Sequence, residues 1–252
     1  VKILAMSEAH TGNPKEGDYL LAAISSYSYY WYSVQQINGY WQTTLGIENI
    51  DYHTTAAQEA VVDQKVAQLL QQWNLGNAGD YQKLKKVYDY MCDNIVYDNA
   101  NLNDDSYTLK YSAYAALING TSVCQGYAQL LYRFMMELGV DARYIRGIGN
   151  GGPHGWNIVR LGNLYYWTDS TWDATYKQAG REYEFFLRCT ANFEDHTPDA
   201  EYTTAEFTSA YPIASSDYNP ASDPCAYGHS WEANYTVETE PGCETTGKRS
   251  IH

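Results

Sequence analysis

The stretch Thr121-Ser122-Val123-Cys124-Gln125-Gly126-Tyr127 runs directly into Leu130, Leu131, Phe134, Met135 and Leu138 and then meets Gly139. Apolar residues at these intervals line one face of an α-helix, and a glycine just beyond the last of them is a helix stop. The spacing therefore predicts a buried helix with Cys124 at its amino end. A helix start presents unpaired N–H groups and the positive end of the helix dipole, which favour a thiolate over a thiol. A lone cysteine is more commonly a small buried apolar residue, so a catalytic reading needs partners further along the chain.

A strand pattern at Ala142 to Arg146 comes next, then a flexible, glycine-rich stretch from Gly147 to Gly152 that delivers Pro153-His154-Gly155-Trp156. Two more strand patterns, Asn157 to Leu161 and Leu164 to Asp169, flank Gly162-Asn163, a pair suited to a two-residue hairpin turn. If Leu161 pairs with Leu164, His154 falls opposite Thr171, with Asp169 and Asp173 on its diagonals and on the same face. A carboxylate can then fix the imidazole and stabilise the imidazolium formed when His154 takes a thiol proton. The spacing alone does not choose between the two aspartates, although Asp169 ends the stronger strand pattern.

Three separated motifs, Val123-Cys124-Gln125-Gly126-Tyr127-Ala128, His154-Gly155-Trp156-Asn157 and Asp169-Ser170-Thr171-Trp172-Asp173, resemble the core of the transglutaminase-like superfamily. Lys86 to Tyr90, Ile95 to Asp98, Tyr114 to Leu117 and Phe185 to Leu187 resemble the flanks of that core in bacterial members. The resemblance covers residues 80 to 200. It implies an α+β fold of the papain-like kind, with the nucleophile helix packed on a small antiparallel β-sheet. It implies further that Cys124 is the nucleophile, His154 the general base and Asp169 its orienter, with no cofactor and no metal. The Cys124 N–H would supply one oxyanion donor, and the second is not singled out.

The remaining sequence bounds the surroundings of this core. Sixteen basic against thirty acidic residues give a net charge of −14 over 252 residues, which repels nucleic-acid backbones and anionic membrane surfaces. No apolar run is long enough for a membrane span. There are 26 tyrosines against 5 phenylalanines; this suits a wet, aromatic-lined surface or a core edge in which Tyr replaces Phe. Helical periodicity marks Asp18 to Ser26, Thr55 to Trp73 with a stop at Gly76, Asp80 to Ile95 and a short piece at 111 to 118. Tyr27 to Ser33 reads as a strand, and 98 to 108 as an exposed loop. The expected divisions are an extension over 1–78, a catalytic core over 79–218, and a linker beginning near Tyr211 that leads into a tail over 219–252. Both ends read as boundaries imposed on a longer chain.

Five cysteines, Cys92, Cys124, Cys189, Cys225 and Cys243, leave at least one unpaired within the chain. Cys225 to Trp231 together with Cys243 to Gly247 resembles the start of a short Cys/His repeat found at the ends of bacterial surface proteins. A structural zinc site needs about four ligands, whereas Cys225, His229 and Cys243 supply fewer. A Cys225–Cys243 disulfide or a disordered end is the expectation there. The functional expectation is amide-bond acyl transfer through a thioester, by hydrolysis or by transfer to an amine. The substrate would be protein or peptide, cell-wall peptide included, in an extracellular or cell-surface setting. The competing expectation is a non-catalytic adhesion or glycan-binding module on the same fold.

Overall fold

The computed structural model describes residues 6, 7, 9–227, 235–239, 242 and 248–251. His229, Trp231 and Cys243 of the expected Cys/His repeat lie outside the described residues. Helix α1 (Asp18–Ala23) runs into a long hairpin of β1 (Ile24–Ile37) and β2 (Tyr40–Tyr52). The strand expected at Tyr27 to Ser33 is thus the middle of a much longer one. Tyr27, Tyr29, Tyr30, Tyr40 and Trp41 on this hairpin are all exposed.

Helix α2 (Ala56–Trp73) is opened by a capping box in which Thr55 and Gln58 satisfy each other's main-chain N–H groups. It ends two residues before the expected Gly76, on a left-handed Asn74, because asparagine also tolerates that conformation. Helix α3 (Asp80–Asn94) buries Leu84, Val87, Tyr88, Met91 and Cys92. A two-residue strand β3 (Val96–Tyr97) pairs in parallel with β4 (Thr121–Ser122), which sets the chain down at the start of helix α4 (Cys124–Glu137). Between them, the helix expected at 111–118 divides into a 3₁₀ turn at Thr108–Tyr111 and a π-turn at Ala115–Asn119.

Helix α4 is the buried centre, its residues from Gly126 to Met135 being almost wholly enclosed. It packs on an antiparallel sheet of order β7-β6-β5-β8, formed by β5 (Ala142–Gly149), β6 (Gly152–Leu161), β7 (Leu164–Thr168) and β8 (His196–Pro198). This is the expected α+β arrangement, with the helix that starts at Cys124 packed on a small antiparallel sheet. The expected flexible stretch is in fact ordered: β5 continues to Gly149, and Asn150 and Gly151, both with positive φ (47° and 79°), make a tight turn into β6.

The β6–β7 register is as expected at Leu161↔Leu164, but it stops at Asn157↔Thr168. Helix α5 (Ser170–Gln178) begins immediately afterwards. His154 therefore pairs with Gly147 on β5 rather than facing Thr171. The segment expected to be a linker from Tyr211 is packed down as well. Tyr165 donates to Pro212 O, Ala214 to Tyr165 O and Tyr218 to Leu187 O, while the Tyr218 ring stacks on Tyr81 at 5.4 Å. Helix α6 (Ala205–Ala210) precedes this segment, and β9 (Tyr235–Thr239) pairs with β10 (Lys248–Ile251) beyond it.

Candidate active site

Cys124 is the first residue of α4, and Val123 before it is extended. The close seating of this helix start requires Gly126: a Cβ there would lie 2.1 Å from Ser122 Oγ and 2.6 Å from Ser112 O. Among the described residues Cys92, Cys124 and Cys189 are free thiols; of these only Cys124 is not buried. Burial pushes the Cys92 thiol far above its ordinary range, so it remains an inert apolar neighbour. Cys225 is disulfide-bonded.

The Cys124 thiol neighbours the His154 imidazole closely enough to favour the ring's charged form. The ring's Nε2 donates to Asp169 Oδ2 at 2.8 Å, which leaves Nδ1 as the nitrogen available to the thiol. The ring plane is fixed by Trp172 and Trp156, which stack on it with centroids at 5.1 and 5.8 Å. Gly149 makes room for it, since a Cβ there would lie 2.7 to 2.8 Å from the imidazole. Burial works against charge on His154. The Asp169 carboxylate and then Cys124 outweigh it and raise the ring to about 10.

Asp169 is fully buried. Its Oδ1 accepts from the N–H groups of Thr171 at 2.8 Å and Trp172 at 3.3 Å, capping α5. Burial opposes its ionisation, but His154 and then His196 hold the carboxyl well below the usual carboxylate range. Asp173, the alternative at the sequence level, is occupied elsewhere. It accepts from Tyr88 Oη at 2.7 Å and from the N–H groups of Glu184 and Phe185, and its burial raises it to about 6. The structure thus brings Cys124, His154 and Asp169 together, with Asp169 reaching His154 from a helix cap rather than from a strand.

Two groups near this constellation were not singled out by sequence. His196 Nε2 lies 3.2 Å from Asp169 Oδ2; a single histidine in the polar run Glu194-Asp195-His196-Thr197 carries no periodic signal. Tyr97 is raised to about 12, by burial first and then by the neighbouring Cys124 and Asp169 charges. Donor atoms of His154, Asp169 and His196 lie within 4.8 Å of one another, a spacing that a cation could bridge. Here both Nε2 atoms are instead turned to the shared carboxylate oxygen as hydrogen-bond partners.

Residues 67–175 match the transglutaminase-like superfamily. They form a transglutaminase-like core. That segment contains Cys124, His154 and Asp169 and stops short of His196. No curated protein matches the chain. Among solved structures, a transglutaminase crystal structure aligns at 19% identity and a TM-score of 0.42, over 55% of this chain and 43% of its own length. A candidate cysteine protease from Cytophaga hutchinsonii aligns at 15% identity and a TM-score of 0.33, over 59% of this chain and 65% of its own. The chain therefore spans less than two thirds of either. The transglutaminase-like core carries Cys124 on α4, His154 on β6 and Asp169 at the start of α5.

Proposed function

We propose that this protein is a cysteine-nucleophile enzyme acting on amide bonds of protein or peptide substrates. The observation that carries the reading is the placement of Cys124 at the amino end of α4 beside His154, whose imidazole is hydrogen-bonded to the buried Asp169 at 2.8 Å. His154 Nδ1 takes the thiol proton, and sulfur attacks the carbonyl carbon. The imidazolium then returns that proton to the departing amine, leaving a thioester on Cys124. The Cys124 N–H at the start of α4 faces the oxyanion. In the second half, His154 takes a proton from water or an amine as it attacks the thioester, and the thiol is regenerated. We favour water as acceptor, because Cys124 is partly exposed and amine transfer demands a site that excludes water. No described helix is long and apolar enough to cross a membrane; the Cys225 to Gly247 pattern supports a cell-surface setting.

The test compares Cys124 alkylation across pH in the intact protein and in His154→Ala. Fast labelling well below the ordinary thiol value of about 8.5, lost in the variant, supports the enzyme. Labelling like that of a free thiol and unchanged in the variant removes it. The exposed aromatics of the β1–β2 hairpin favour an added binding role, by which this arm grips the substrate. Replacing the hairpin tip with a short turn then weakens substrate turnover while Cys124 alkylation stays at the parent rate.

A further inference from the structure

His196 takes no step in the proposed mechanism, yet its side chain is wholly buried against Asp169. Its Nδ1 lies 2.8 Å from the main-chain carbonyl of Glu194 and its Nε2 3.2 Å from Asp169 Oδ2. A carbonyl can only accept a hydrogen bond, and an ionised carboxylate can only accept. A neutral imidazole has a single N–H, so one nitrogen would point its lone pair at an acceptor. Both nitrogens must donate, and the ring is then an imidazolium. Its enclosure suits a cation: Phe193 stacks on it at 4.0 Å, with Trp172 at 4.2 Å, Trp156 at 4.9 Å and Phe185 at 5.3 Å. The placement is built into the sheet, where β8 pairs His196 with Gly149 on β5.

We propose that His196 is a cationic positioning residue that shares Asp169 Oδ2 with His154 and sets the pH range over which the Cys124–His154 pair stays charged. It rests on the catalytic reading of that pair. The near titratable groups are His154 on β6 and Asp169 at the start of α5. On β5, Arg146 is engaged by Glu201 at 2.7 Å; Glu194 and Asp195, on the turn before β8, are exposed. With His196 charged, two imidazoliums, one carboxylate and one thiolate sum to a neutral site. Removing that charge leaves a net negative site, in which the thiol ionises less readily and His154 holds its proton longer.

The wild-type protein is measured first, by long-range ¹⁵N–¹H NMR of the imidazole rings at neutral pH. Both His196 nitrogens are expected to carry protons, and a singly protonated ring overturns the proposal. In His196→Gln, an amide keeps one donor without the charge, and iodoacetate labelling of Cys124 then reads the pH range. Both limbs of the bell are expected to move to higher pH by about one unit or more. Limbs at wild-type positions with only a lower maximum overturn the proposal, since a purely structural role does just that. His196→Asn repeats the measurement if the glutamine variant does not fold. A wild type with no bell sinks the catalytic reading, whereas the ring spectrum still judges His196 independently.

Discussion

Asp169 holds His154 with one carboxylate oxygen, at 2.8 Å, and caps helix α5 with the other. The two duties can be separated. Asparagine keeps a cap but removes the charge that sustains the imidazolium, whereas alanine removes both. Asp169→Asn is expected to slow Cys124 alkylation at neutral pH by about 10-fold or more. Asp169→Ala should be as slow and also less stable than the asparagine variant by about 1 kcal/mol, read by urea unfolding. Equal stabilities would contradict the capping role.

Gly149 sits under the His154 ring and pairs with His196 across the sheet. Its Cβ position lies 2.7 to 2.8 Å from Cδ2, Cγ and Cβ of His154, so alanine must push the side chain away from its place against Trp172 and Trp156. Gly149→Ala is expected to lower the alkylation rate about 10-fold or more, since small misplacement of a reacting group is expensive. Because His154 Cβ is fixed to the main chain and cannot rotate away, β5 and β6 must also shift, and a loss of stability of about 1–3 kcal/mol is expected. A variant that labels at the parent rate would mean the ring has room to spare.

Gly126 is tighter still, because one of the atoms its Cβ would strike is the main-chain carbonyl oxygen of Ser112, at 2.6 Å. Nothing there is free to swing aside. Gly126→Ala is expected to destabilise the protein by about 1–3 kcal/mol, measured by urea unfolding. The helix start would move with it, so alkylation should fall as well. Retained stability would show that β4 and α4 can separate at little cost.

The helix behind Cys124 is legible in the sequence because its apolar face repeats at the helical period, and the β6–β7 hairpin because Gly162-Asn163 fixes its register. Where that hairpin ends is not legible. Asp169 looks like a strand residue by pattern, yet Asp-Ser-Thr is also a helix start, and the cap bonds to Thr171 and Trp172 win. Gly147 to Gly152 reads as flexible because glycine permits many conformations; antiparallel pairing of β5 with β6 and β8 orders it. His196 joins the site only through tertiary placement across the sheet, from a run with no periodicity to detect. The segment from Tyr211 is polar in composition, but its tyrosines are held through stacking and main-chain pairing with the core, contacts that composition does not encode.

Asp173 provides the last expectation, and its sign follows from its burial. Its carboxyl is fully enclosed and raised to about 6, from an ordinary value near 3.8. Between those limits the folded protein binds the proton that the unfolded chain has released, so stability falls as pH rises. The loss is complete above about pH 6 and absent below about 4. Asp173→Asn cannot titrate, while its amide can still meet the Tyr88 hydroxyl and the Glu184 and Phe185 N–H groups. The stability of wild type relative to Asp173→Asn should therefore decline by up to about 3 kcal/mol between pH 4 and 7, measured by urea unfolding at each pH. A difference that is flat, or that grows in favour of wild type, would mean Tyr88 and the two N–H groups stabilise the carboxylate more than burial penalises it.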